Sequence, residues 1–157
     1  MTDYAIVDSP IGDLLLTGED SALTGLHFSP FAIDPHWHHD ADALGEAATQ
    51  LEQYFAGERT EFDLELSPHG TEFQQRVWAM LREIPFGETT TYGRLADRLG
   101  NPRTVRAVGL ANGRNPIAVI IPCHRVIGAD GSLVGFGGGL ERKRALLDLE
   151  AGVRTLI

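Results

Sequence analysis

The chain contains one cysteine, Cys123, set in the stretch Asn115-Pro-Ile-Ala-Val-Ile-Ile-Pro-Cys-His-Arg-Val126. A cysteine attacks as its thiolate, and a neighbouring base or fixed cation favours that form. His124 is a potential base and Arg125 a fixed cation. The apolar run Ile117 to Ile121 reads as buried strand or core, and Pro122 ends it because proline has no N–H for a sheet ladder. Cys123 therefore belongs where a buried element meets its loop. This context alone leaves two readings open: an activated nucleophile, or a small buried hydrophobe that happens to be cysteine.

A second cluster, His36-Trp37-His38-His39-Asp40, offers metal-ligand types in a proline-flanked stretch. No spaced partner ligand is evident elsewhere, so the favoured reading is a solvated loop, and no metal is expected. A single cysteine also excludes an internal disulfide and any multi-cysteine zinc site, and it fits a reducing compartment. The chain has no basic-then-apolar leader and no apolar run near 18 residues, which points to a soluble, cytoplasmic protein without a membrane partner.

The net charge of −9 hides a split. Residues 1–70 carry 14 acids against one base, a net of −13, whereas residues 71–157 carry 12 bases against 8 acids, a net of +4. Such asymmetry is either surface composition or the footprint of an anionic partner. The bases are nearly all arginine, which suits phosphate forks, and Lys143 is the only lysine.

These residues must be positioned by two regions. In residues 1–70, strands are expected at 3–7, 13–17 and 23–28, the first pair joined by the turn Ser9-Pro10-Ile11-Gly12. Residues 29–42 form a loop. An amphipathic helix spans Ala43 to Phe55, and the alternation of Phe62, Leu64 and Leu66 with acids predicts a half-buried strand. This region is a small acidic α/β lobe. Residues 71–157 are mostly helical. Helices are expected at 72–83, at Tyr92 to Leu99 with Thr91 as N-cap, at Arg103 to Asn112 with Asn101 as cap, and at Leu140 to Glu150. The two short helices joined by Gly100-Asn101 make a helix-turn-helix. The second of them has small residues at Ala107, Gly109 and Ala111, and Arg106 as its long mid-helix side chain. Glycine in a helix costs about 1 kcal/mol against alanine, so Gly109 suggests close approach to another surface. A DNA minor groove, only about 6 Å wide, demands that.

Taken together, these motifs resemble the O6-alkylguanine-DNA alkyltransferases, the methylated-DNA–protein-cysteine methyltransferases. The likeness runs the whole length. It is carried by Ser9-Pro10-Ile11-Gly12, Gly87-Glu-Thr-Thr-Thr-Tyr92-Gly, Arg106-Ala-Val-Gly-Leu-Ala-Asn112, Asn115-Pro, Ile121-Pro-Cys-His-Arg-Val126 and Gly138-Gly139-Leu140.

The resemblance implies a ribonuclease-H-like first lobe, a winged-helix-like second domain, and irreversible transfer of an alkyl group from O6 of guanine to Cys123. It casts His124 as base through a water, Glu150 as the group holding the imidazole, Tyr92 as donor to the purine and Asn115 as a tie to the cysteine loop. It places Arg103, Thr104, Arg106, Ala107, Gly109 and Arg125 against DNA, with Arg106 entering the stack in place of a flipped base. The base pocket would be formed by Tyr92, Val126, Phe136, Gly137 and Gly138. Many relatives have serine where Gly137 stands. The implied protein is a single-turnover monomer acting on duplex DNA that contains O6-alkylguanine, with O4-alkylthymine left open, and it needs no cofactor. The competing readings are a DNA-binding module that flags lesions without transfer and a cysteine hydrolase; Cys123 disfavours the first, and irreversible thioether formation the second.

Overall fold

The computed structural model describes residues 1–152, which divide into two compact units, Met1–His69 and Gly70 onward. In the first, β1 (Asp3–Val7), β2 (Leu14–Glu19) and β3 (Ala22–Phe28) form an antiparallel meander. A two-residue strand, β4 (His38–His39), adds in parallel to β1, so the sheet order is β3-β2-β1-β4. Leu14, Leu15 and Leu16 of the central strand are all buried, which explains its unbroken apolar run. Helix α1 (Gly45–Phe55) buries Ala47, Leu51 and Tyr54. It begins two residues later than its apolar spacing predicts, and Leu44 supplies no side-chain cap. The strand expected around Phe62, Leu64 and Leu66 is reduced to a single parallel bridge between Leu23 and Leu66. The alternation at 62–66 reports burial on one side, and burial on one side does not require a continuous ladder. The loop expected at 29–42 contains β4.

The second unit is helical, with a two-stranded parallel sheet of β5 (Thr90–Thr91) and β6 (Val126–Ile127). Helix α2 (Glu72–Leu81) opens with a full capping box, Thr71 and Gln74 each satisfying the other's backbone N–H. It closes two residues before the predicted end. Helix α3 (Tyr92–Arg98) is capped by the Thr91 hydroxyl, which accepts from the Arg94 N–H at 3.2 Å. Asn101 accepts from the Arg103 N–H at 3.0 Å and starts a 3-10 turn, Pro102–Thr104, which runs into α4 (Val105–Gly113). The expected single helix from Arg103 is thus a 3-10 turn followed by an α-helix. Trp78 of α2 is buried and donates its indole N–H to the Ala111 carbonyl at 2.8 Å, which ties α2 to α4. Leu81, Leu95, Val108 and Leu146 complete this core, the last from α5 (Leu140–Glu150).

The run Ile117 to Ile121 is buried as predicted, but it is not a strand. It coils through a tight turn in which Val119 holds φ at 72°, a region that β-branched residues avoid. The backbone there closes on itself, Ile121 N–H bonding to the Ile117 carbonyl at 2.9 Å and Ile120 N–H to the Ala118 carbonyl at 2.9 Å. Strain of this kind persists only where the surroundings over-determine the conformation. Here it delivers Pro122 and the 3-10 turn Cys123–Arg125.

Candidate active site

Cys123 is buried, and two asparagines fix the backbone of its turn, one at Cys123 itself and one at the run that leads into it. Asn115 donates from Nδ2 to the Ile121 carbonyl at 2.7 Å and accepts from the Ile117 N–H at 2.9 Å, so one side chain clamps both ends of the strained turn. Asn112, at the end of α4, donates to the Cys123 carbonyl at 3.3 Å. That contact couples the helix-turn-helix directly to the cysteine.

Beyond the cysteine lies a buried charge network. Glu150, at the end of α5, accepts from His124 Nε2 at 2.7 Å through Oε2. It also accepts from Arg125 Nε at 2.7 Å through Oε1, and from the same guanidinium at Nη2 at 3.0 Å through Oε2. Arg125 Nη1 donates to the Ile84 carbonyl at 2.6 Å, and its guanidinium lies 5.8 Å from the centre of the Phe86 ring. Burial by itself would raise the Glu150 pKa, but the hydrogen bonds from His124 and Arg125 outweigh it and hold the carboxylate at about 2. Glu150 is therefore ionised and accepts only. It follows that His124 carries its ring proton on Nε2, and Nδ1 presents a lone pair. Burial lowers the His124 pKa and keeps the ring neutral. His124 Nδ1 and Asn112 Oδ1 are the buried side-chain polar atoms without a partner among the described residues.

The thiol is not the standing thiolate that its neighbours in sequence suggest. Burial pushes the Cys123 pKa up to about 11, against smaller lowering influences from the Asn115 side chain, Lys143 and backbone N–H groups. Arg125 does not face the sulfur as a free cation, because its guanidinium is spent on Glu150 and Ile84. Arg125, which the resemblance implies against DNA, has a side chain only 8% exposed and a hydrogen-bonding fork occupied by Glu150 and the Ile84 carbonyl.

Sequence reasoning missed Lys143. As part of Arg142-Lys143-Arg144 it reads as a solvated or phosphate-facing turn, yet it is fully buried. Its Nζ donates to the Val134 carbonyl at 2.8 Å and sits 6.0 Å from the centre of the Tyr92 ring. Burial lowers its pKa, and the nearby Cys123 opposes that. The signal was its identity: the one lysine in an arginine-rich chain, and lysine is the base whose pKa yields to burial. Tyr92 donates to the same Val134 carbonyl at 3.0 Å, so one carbonyl pins residues 132–139 to α3 and α5. Burial raises the Tyr92 pKa and keeps its hydroxyl a donor.

Of the remaining predicted residues, Val126 is buried beside the cysteine turn, Phe136 is half-buried, and Gly137 and Gly138 lie in the loop before α5. Arg103, Arg106 and Ala107 are exposed on the 3-10 turn and α4, with Thr104 and Gly109 half-buried. A Cβ built on Gly109 meets only the Tyr92 ring, at 3.9 Å, which is ordinary contact. Internal packing therefore does not require glycine there.

Comparison with known proteins agrees across the chain. Residues 3–68 match the profile of the 6-O-methylguanine DNA methyltransferase ribonuclease-like domain, and residues 72–152 that of the 6-O-methylguanine DNA methyltransferase DNA binding domain. A Mycobacterium bovis methylated-DNA–protein-cysteine methyltransferase is 58% identical over 153 residues, 96% of this chain and 93% of that one. One from Methanosarcina acetivorans is 52% identical over 151 residues, 94% of this chain and 97% of that one. The crystal structure of Mycobacterium tuberculosis OGT in complex with DNA is similar at a TM-score of 0.93 and 55% identity, covering 98% of this chain and 96% of that one. With a clamped cysteine, a His–Glu pair behind it and both domains matched, the chain belongs to the 6-O-methylguanine DNA methyltransferase family.

Proposed function

We propose that the chain repairs alkylated duplex DNA by direct reversal, taking the alkyl group from O6 of guanine onto Cys123 in a single irreversible turnover. The observation that carries this is the buried Cys123 beside a neutral His124 whose Nδ1 is open and whose Nε2–H is held by an ionised Glu150. A thiol with its pKa near 11 is silent at neutral pH, so its proton must leave as the alkyl group arrives. His124 Nδ1 takes that proton through a water, and Glu150 stabilises the imidazolium that forms. The sulfur bonds to the alkyl carbon, the carbon–O6 bond breaks with its electron pair going to the purine, and a proton returns to the base. Tyr92 gives its hydrogen bond to the purine ring in place of the Val134 carbonyl, which makes displacement of residues 132–139 part of base entry. Lys143 holds positive charge near the sulfur as thiolate character develops.

A buried sulfur reaches O6 only if the nucleotide leaves the stack. Arg106 fills the gap from the exposed face of α4, and Arg103, Thr104, Ala107 and Gly109 lie along the minor groove. The ordinary contact around Gly109 supports this, since the missing side chain serves an outside surface. The pocket for the base comprises Tyr92, Val126, Phe136, Gly137 and Gly138. Asn115 positions Cys123 by clamping its turn. The protein acts as a monomer and without a cofactor. The test is mass spectrometry after incubation with duplex carrying O6-methylguanine. The expected result is one added methyl on the Cys123 peptide and no further turnover; an unmodified peptide with tight binding, or repeated turnover, overturns the proposal.

A further inference from the structure

Local sequence alone offers the His36–Asp40 stretch no partner ligand. The fold supplies one. β4 pairs in parallel with β1 in a register that sets Asp3 opposite His38. Backbone bonds fix the segment at both ends, His38 N–H to the Thr2 carbonyl at 2.9 Å and Asp40 N–H to the Tyr4 carbonyl at 3.0 Å. His38 and Asp40 are two apart on an extended segment and share a face. His38 Nδ1 lies 3.2 Å from Asp3 Oδ1, and the ligand atoms of Asp3, His38 and Asp40 all fall within 4.8 Å of one another. Two ligands each about 2.1 Å from one ion stand roughly 3 to 3.5 Å apart, so the Asp3–His38 pair already has that spacing. Asp40 Oδ1 accepts from the Ala43 N–H at 3.0 Å, which orients the carboxylate and leaves its second oxygen to ligate.

We propose that Asp3, His38 and Asp40 bind one divalent first-row transition-metal ion, with water completing its coordination. One imidazole and two carboxylates suit the borderline ions, zinc among them. The setting attracts cations: Asp3 also lines a cavity of about 410 Å3 that carries Asp20, Glu46 and Glu65 and no lysine or arginine. The bound ion clamps the two-residue outer strand to the sheet, holding Trp37 and His39 in their ring contacts with Tyr4. This site lies wholly in the first unit and is independent of the transfer chemistry.

The test is calorimetric titration of the full chain with Zn2+, in the Cys123→Ser background so that no thiol competes, together with paramagnetic broadening by Mn2+ in NMR spectra. One ion per chain is expected, with broadening centred on residues 2–4 and 38–40 and a raised melting temperature. His38→Gln and Asp3→Asn should each weaken Zn2+ by more than about tenfold, while His36→Gln leaves it unchanged. These side chains lie at the surface, and unchanged metal-free melting of the variants checks their folding. Absence of saturable binding, equal affinity in His38→Gln, or broadening centred elsewhere overturns the proposal.

Discussion

The two units bury polar groups in opposite ways. In the first, the buried polar side chains are Thr17, Thr24 and Gln50. Each is neutral, and each has a structural partner: the two threonine hydroxyls bond to each other at 2.9 Å, and Gln50 bonds to the backbone of Asp63 at both its carbonyl and its N–H. In the second, among the described residues, they are Asn112, His124, Arg125, Lys143 and Glu150. Four of these can carry charge, and all lie around one cysteine turn. Taking charge from water is expensive, and well-packed apolar residues often replace a buried ion pair without loss. A fold seeking only stability would have no use for this cluster. The first unit buries neutral polar groups, and the second buries costlier, ionisable ones around a single cysteine.

The widest break in that comparison comes from Cys123→Ser. It should abolish methyl transfer entirely in a mass assay while leaving binding to lesion-bearing duplex within about twofold, since a buried serine changes no surface charge. Next is Glu150→Ala, which leaves Arg125 buried and unpaired. It should cost roughly 3–5 kcal/mol in chemical denaturation, whereas replacing an exposed acid of the first unit such as Glu58 should stay within about 0.5 kcal/mol.

The pH dependence follows from the same carboxylate. The folded pKa of Glu150 is depressed from 4.5 to about 2, so its contribution to stability is complete above about 4.5 and is lost as pH falls towards 2. Denaturation midpoints should drop through that window, and Glu150→Gln should flatten the drop. The free thiol behaves in the reverse sense. With its pKa raised to about 11, reaction of Cys123 with a small electrophile should keep rising with pH from 7 to 10. Lys143→Met should lower that rate at each pH by removing the nearby cation. A core substitution in the first unit, Leu51→Ala, should cost about 2–5 kcal/mol in stability yet leave the thiol profile in place. The smallest effect is expected at Gly137→Ser: a Cβ there finds its nearest neighbour, the Gly113 carbonyl, at 3.8 Å, so stability should be unchanged and any effect confined to the transfer rate.

Much of the fold was legible. Periodicity and capping residues located β1 to β3, α2, α3 and α5, because local pattern and local chemistry agree there. The errors lie where they part. Ile117 to Ile121 has a strand's composition but closes into a turn around Val119, since Asn115 bonds both ends of the run. Phe62 to Leu66 alternates like a strand, yet only Leu66 makes a bridge. His38 and His39 pair with β1 across 35 residues of chain, a contact that no local pattern announces.

By itself, the sequence determined the single cysteine, the histidine beside it, the helix-turn-helix pattern and the contrast in charge between the two halves. These are matters of residue type and short spacing, which the covalent chain fixes. Only tertiary structure decided that Arg125 faces inward to Glu150, that Lys143 is buried beneath Val134, and that the thiol is held protonated. Orientation, burial and pKa depend on groups far apart in sequence, and they acquire values only when packing has removed the water between them.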